Sequence, residues 1–303
     1  MMTTKGVAKV GDIELAYERF GDEHAPAVLL IMGLGAQLLL WPESFCQTLV
    51  DRGYQVIRFD NRDIGLSSKI KVRSPKQNFW MKMARFQLGL PNPSPYNLYD
   101  MAADTIGLMS ALKIGKAHII GASMGGMIGQ IIAAKYPERV LSLGVLFSSN
   151  NQPMLPPPHP KAFFPLIKGP GAKAPRDVLL NHSVKLFTAI GSPAHPMTPD
   201  EIRVFAGGLM DRSFHPAGVK RHFLAVMGTG NIKSLAKYIH VPTIVVHGKE
   251  DRLLRPACGK AVAKSIKGAK FELIEGMGHD IPNALAPRLA NLFAGNMKKG
   301  LST

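Results

Sequence analysis

The sequence predicts an α/β protein with a mainly parallel central sheet, flanked by helices and interrupted by a helical cap insertion. Three observations predict it. Short apolar runs alternate with helix-length amphipathic segments through the first half of the chain, the alternation stops after Asn150 in a stretch rich in Pro, Gly and Lys, and it resumes with "VPTIVVHGKED". Strands separated by helices require right-handed crossovers, and crossovers build a parallel sheet.

The elements follow in order. "IELAYERF" (Ile13 to Phe20) alternates apolar and polar residues for part of its length, as a half-buried strand does. "AVLLIM" (Ala27 to Met32) is a continuous apolar run, suited to a strand buried on both faces. Helix-like "PESFCQTLVDRG" leads to strand-like "YQVIRFD", and "YDMAADTIGLMSALK" leads to "AHIIGAS". A helix over Met124 to Tyr136 precedes a further buried strand, "VLSLGVLFSS". Beyond Asn150, helical patches such as "DVLLNHSVKLFTAI" and "EIRVFAGGLM" follow one another with no strand between them. The expected division is therefore a core of residues 1–149 and 233–303 and a helical cap or lid of residues 150–232. Two strands, in "VPTIVVHGKED" and "KFELIEGMGHD", complete the core.

Composition limits the function classes. A chain of 303 residues, 46% hydrophobic and 19% charged, can bury a full core and is globular rather than disordered. The first residues lack the apolar region of a signal peptide and no apolar run is long enough to span a bilayer, so a soluble, cytoplasmic protein is expected. Cys46 and Cys258 are too few and too far apart for a disulfide framework or a C-x-x-C site. Both are expected to be reduced, with Cys46 filling a contact between a helix and the core. A net charge of +16 and a pI near 9.9 raise the question of nucleic acid, anionic lipid or anionic substrates. No zinc-finger spacing or RNA-binding signature accompanies the charge, so nucleic acid is not expected.

The candidate chemistry centres on "HIIGASMGGMIGQ". Gly121, Ala122, Ser123, Met124 and Gly125 spell G-x-S-x-G where a strand turns into a helix. A nucleophile at such an apex is held at positive φ, and side chains two positions to either side would collide, which glycine avoids. Gly126 and Gly129 are read as contacts between helix and sheet. A serine hydroxyl needs a base to take its proton and an acid to hold that base in one tautomer. Asp251 follows "TIVVHGKE" and His279 follows "FELIEGMG", giving the chain order Ser, Asp, His. Glu250, Asp280 and Asp211 compete for the acid role less well, and His247 reads as a hydrogen-bonding residue that ends its strand. The scheme requires no cofactor, and no metal-ligand cluster or phosphate loop is visible in the sequence.

These motifs resemble the α/β-hydrolase fold superfamily along nearly the whole chain apart from the insertion. Within it, "LLIMGLGAQLLLWPESFCQTLVDRGYQVIRFDNRDIGLSS" and "YDMAADTIGLMSALKIGKAHIIGASMGGMIGQ" are similar to small esterases of the aclacinomycin methylesterase type. The resemblance implies an oxyanion hole made by the backbone N–H groups of Met124 and Leu34, the latter in "MGLG", where Met32 stands in place of a histidine common among relatives. It also implies structural roles for Asp60, Arg62 and Gly65. The expected activity is hydrolysis of a small-molecule carboxylic ester through an acyl-enzyme. Ser123 argues against dehalogenases and epoxide hydrolases, which need an aspartate nucleophile. A lipase with interfacial activity, a cofactor-free haloperoxidase, a carbon–carbon hydrolase and a ligand receptor all remain open alternatives.

One segment is left over. Between Ser67 and Tyr99, Lys69, Lys71, Arg73, Lys76, Lys82 and Arg85 meet no carboxylate. Within it Phe79, Met83, Phe86 and Leu90 fall at helical spacing, widened by Trp80, with Gly89 weakening the helix at its end. Two readings stay open: the stripe packs on the body of the protein, or it is an interfacial helix over the site that docks on anionic lipid.

Overall fold

The computed structural model describes residues 3–72 and 78–301, with the side chain of Phe79 excepted. Eight strands form one sheet in the order β1-β2-β4-β3-β5-β6-β7-β8. They are β1 (Thr3–Val10), β2 (Ile13–Phe20), β3 (Ala27–Ile31), β4 (Gln55–Phe59), β5 (Ala117–Ala122), β6 (Val140–Leu146), β7 (Thr243–Gly248) and β8 (Lys270–Ile274). From β4 through β8 every neighbouring pair is parallel, whereas β2 is antiparallel to both β1 and β4. The β1–β2 hairpin was not legible from the sequence, because its first strand, "TTKGVAKV", is an edge strand with few buried positions.

The central strands read as unbroken apolar runs because both of their faces are covered. Leu29 and Ile31 of β3 join one core layer, with α3 (Leu98–Ala111) and α4 (Met124–Lys135) packed over it. Val28 and Leu30 join the opposite layer, under α1 (Glu43–Val50) and α10 (Ala286–Gly300). Cys46 lies in that second layer within α1, and Cys258 is buried in α9 (Pro256–Ser265). Burial pushes the two thiols up to about 12 and about 11, so neither supplies a thiolate near neutral pH.

Between β6 and β7 the chain runs through α5 (Pro160–Ile167), α6 (Arg176–Ile190), α7 (Pro199–Arg212) and α8 (Pro216–Thr229). Asn78 caps α2 (Phe79–Gln87), accepting from the Trp80 and Met81 amides, and Gly89 at φ 70° follows its end. The stripe expected there divides. Met83 and Phe86 face the cavity above Ser123, Leu90 lies beyond the helix and is exposed, and Trp80 faces outward. Lys82, expected on a basic flank, is instead buried, and burial with the nearby Lys220 lowers its pKa. Arg73 and Lys76 lie outside the described residues. Among those residues no helix is long and apolar enough to cross a membrane.

Candidate active site

Ser123 sits between β5 and α4 at φ 55° and ψ −121°, in the left-handed region that non-glycine residues rarely occupy. Neighbouring strands hold the strained turn. The Ser123 amide donates to the carbonyl of Leu146, and the Ser148 hydroxyl donates to the carbonyl of Ser123 at 2.6 Å. Side chains at Gly121 and Gly125 would collide, as expected, and the atoms they would strike are main chain. A β-carbon on Gly125 would strike the backbone oxygen of Ile31 at 2.1 Å, and one on Gly121 would strike the backbone of Gly125 itself.

The loops after β7 and β8 bring the other two candidates to the serine. His279 Nε2 lies 3.0 Å from Ser123 Oγ, and its Nδ1 donates to Asp251 Oδ2 at 2.7 Å. Asp251 is nearly inaccessible, yet its carboxylate is well partnered. Oδ1 accepts from the amides of Leu253 and Leu254, and His247 Nε2 lies 3.3 Å from Oδ2. Burial opposes the charge, but His279 and the bond from His247 outweigh it and hold the carboxyl at about 2. The His247 Nε2 hydrogen is shared between Asp251 and the Leu254 carbonyl, which lies 2.6 Å away. The competing acids are engaged elsewhere: Asp280 accepts from the Ser192 hydroxyl, and Asp211 pairs with Arg176 on the surface. Glu250 lies in the same loop as Asp251, its amide bonded to the Met277 carbonyl.

The loop after β3 closes against the serine. A β-carbon on Gly33 would come 3.0 Å from Ser123 Cβ, so the segment carrying Leu34 runs directly over the nucleophile candidate. Met124 occupies the first turn of α4, where helix amides have no intrahelical acceptor and the helix dipole is positive. Leu34 and Met124 both line the cavity that contains Ser123 and His279. That cavity measures about 1350 Å³ and is walled mainly by apolar side chains, including Phe86, Phe163, Phe187, Phe205 and Met227.

The segment between β6 and β7 is bonded to these loops in ways the sequence did not disclose. The His279 amide donates to the Ile190 carbonyl at 2.7 Å, and the Gly278 amide donates to Ser192 Oγ at 2.9 Å. Gln37 donates to the carbonyls of Leu209 and Ser213, and accepts from Arg212. Asp60 and Asp63, in the loop after β4, receive Arg212 at 2.7 Å and a bidentate Arg221 at 2.6 and 2.8 Å. Asp60 also accepts from the Leu38 and Leu66 amides, and a β-carbon on Gly65 would overlap its carboxylate. Arg62 pairs with Asp104 of α3.

The sequence profile of the α/β-hydrolase fold matches residues 26–282. The chain is similar to rhodomycin D methylesterase DnrP of Streptomyces peucetius, 26% identical over 299 residues that cover 92% of this chain and 93% of that one. Among solved structures, a bacterial membrane phospholipase A superposes with a TM-score of 0.75 at 22% identity, covering 99% of this chain and 87% of that one. A meta-cleavage product hydrolase from Pseudomonas fluorescens superposes with a TM-score of 0.74 at 17% identity, covering 97% of each chain. At these identities the two structures speak for the fold alone.

Proposed function

Since the chain belongs to the α/β-hydrolase fold family and is similar to a methylesterase, we propose that it is a serine hydrolase of carboxylic esters working through an acyl-enzyme. The observation that carries this reading is the relay from Ser123 Oγ through His279 to Asp251, at 3.0 and 2.7 Å, with the serine on a strained elbow. Ser123 Oγ attacks the acyl carbon while His279 Nε2 takes its proton. Asp251 keeps His279 in the tautomer whose Nε2 is free to accept, and stabilises the imidazolium that forms. The carbonyl oxygen, now an oxyanion, receives the amides of Leu34 and Met124, each worth on the order of 3 kcal/mol. His279 then returns its proton to the departing alcohol, activates a water, and the acid product leaves.

We read residues 150–232 as a cap over this site. The cavity beneath it exceeds the roughly 300–1,000 Å³ of ordinary small-molecule pockets, which favours an ester with a bulky apolar acyl or alcohol part. The test is a hydrolysis screen over p-nitrophenyl esters of graded acyl length with a panel of methyl esters beside it, in wild type and Ser123→Ala. Wild type should hydrolyse esters and react with a fluorophosphonate probe, and Ser123→Ala should do neither while unfolding normally. Full labelling of the variant would overturn the assignment.

A further inference from the structure

Helix α8 meets the active-site loops through four of five consecutive residues. A β-carbon on Gly218 would lie 2.2 Å from the Asp63 carbonyl oxygen, so the helix backbone rests on the loop after β4. Val219 lies against Gly35, where a β-carbon would come 3.0 Å from its side chain. Arg221 grips the Asp63 carboxylate, and His222, fully buried, spans two backbone groups. Its Nδ1 lies 3.2 Å from the Gly35 amide nitrogen, and its Nε2 lies 2.7 Å from the Arg62 carbonyl oxygen.

The two partners determine the proton on the ring. A backbone amide only donates and a carbonyl only accepts, so Nδ1 bears the lone pair and Nε2 the hydrogen. One neutral tautomer satisfies both. Burial favours that neutral ring, lowering the pKa to about 4 against smaller opposing effects of the Arg62 carbonyl and Asp63, while Arg221 and Arg62 lower it further.

We propose that His222 is a positioning residue for the oxyanion hole: by accepting from the Gly35 N–H it fixes the backbone on the far side of Leu34 and so aims the Leu34 N–H at the reacting carbonyl oxygen. This rests on the serine hydrolase reading and on Leu34 as a donor. Gly35 has φ 70° and no side chain of its own to hold it in place, so Val219 and His222 supply the restraint from outside the loop. An amide aimed wrongly by an ångström forfeits much of its effect on the transition state while leaving ground-state binding alone. The helix that covers the site is thus part of the catalytic frame.

The experiment compares His222→Asn, His222→Gln and His222→Phe with wild type and Ser123→Ala. An Asn side chain can place an acceptor near the Nδ1 position, a Gln side chain can place a donor near the Nε2 position, and Phe supplies neither. Steady-state hydrolysis of a p-nitrophenyl ester and inhibition by a trifluoromethyl ketone, which forms an oxyanion on the serine, are read together with thermal unfolding. His222→Phe and His222→Gln should lower kcat by about tenfold to a hundredfold with KM changed by less than about threefold. Inhibitor affinity should fall in proportion to kcat/KM, and His222→Asn should recover most of the loss. If the Phe variant does not fold, the contrast between Asn and Gln carries the test. Equal kcat in wild type and a folded Phe variant, or equal losses in Asn and Gln, would overturn the proposal. Hydrolysis that survives Ser123→Ala would overturn the serine reading beneath it.

Discussion

A β-carbon on Gly121 would lie 2.1 Å from the carbonyl oxygen of Gly125, although the two residues flank the serine on opposite sides. Backbone cannot yield as a side-chain tip can, so Gly121→Ala and Gly125→Ala should each cost about 3 kcal/mol or more, or prevent folding. Gly129 is the internal comparison. Its β-carbon would meet only side-chain carbons, of Leu143 at 3.1 Å and Ile119 at 3.4 Å. Small shifts relieve that contact, and alanine gains about 1 kcal/mol of helix propensity over glycine. Gly129→Ala should therefore change stability by less than about 1 kcal/mol, as measured by urea unfolding. Equal costs at all three positions would contradict the backbone origin of the motif.

The acid prediction separates two neighbours. Asp251→Asn should lower kcat by about 10⁴-fold by spoiling the tautomer of His279. The asparagine oxygen can still accept from the Leu253 and Leu254 amides, so the variant should still fold although it forfeits the stability that the charged carboxylate contributes near neutral pH. Glu250→Gln should leave kcat within about threefold of wild type. The reverse result in the same kinetic assay would transfer the role to Glu250.

Acid stability should report on buried histidines. Burial lowers His118, bonded to Ser142 inside the sheet, from 6.5 to about 4, and the His222 pKa is lowered to a similar value. Near neutral pH neither histidine is charged in either state. As pH falls through 6.5 the unfolded chain binds protons that the folded chain refuses until about 4, so stability declines with falling pH across that window. Each histidine contributes up to about 1.4 kcal/mol per pH unit. Asp251, depressed to about 2, loses its contribution only below that window, as pH falls from the ordinary 3.8. Urea unfolding across the window should give a slope against pH that is smaller by about 1 kcal/mol per unit in His118→Gln. Parallel slopes would exclude the titration of His118.

Chain-length preference should respond to α2. Phe86 lines the cavity together with Met83, so Phe86→Ala should raise kcat/KM for long acyl esters relative to short ones by about tenfold. An unchanged ratio across the acyl series would mean that the acyl chain lies elsewhere in the cavity.

The sequence was most legible where local pattern and tertiary role coincide. The runs at β3, β4, β5 and β6 are apolar because helices cover both faces of the sheet, and periodicity alone reveals that. The chain order of serine, aspartate and histidine named three residues that the structure brings within hydrogen-bond distance. Edge strand β1 carries little apolar signal. His222, one of ten histidines, has no motif around it. A faint signal existed: Gly218, Arg221, His222, Ala225 and Thr229 share a helical face, and a glycine and an arginine beside a histidine suggest a close backbone approach with buried polar partners. What Gly218, Arg221 and His222 touch depends on loops more than 150 residues away in sequence, such as Gly35 at a separation of 187.

The placement of β7 and β8 at one edge of the sheet has a consequence for the order of events in folding. Ser123 and His279 are 156 residues apart, and the histidine is supplied by the loop after the last strand. Loop closure over that separation is slow relative to forming the local β5–α4 unit. During refolding, helical circular dichroism should return before ester hydrolysis does. On the serine hydrolase reading, a nascent chain on the ribosome would carry Ser123 without its base until β8 has emerged and docked.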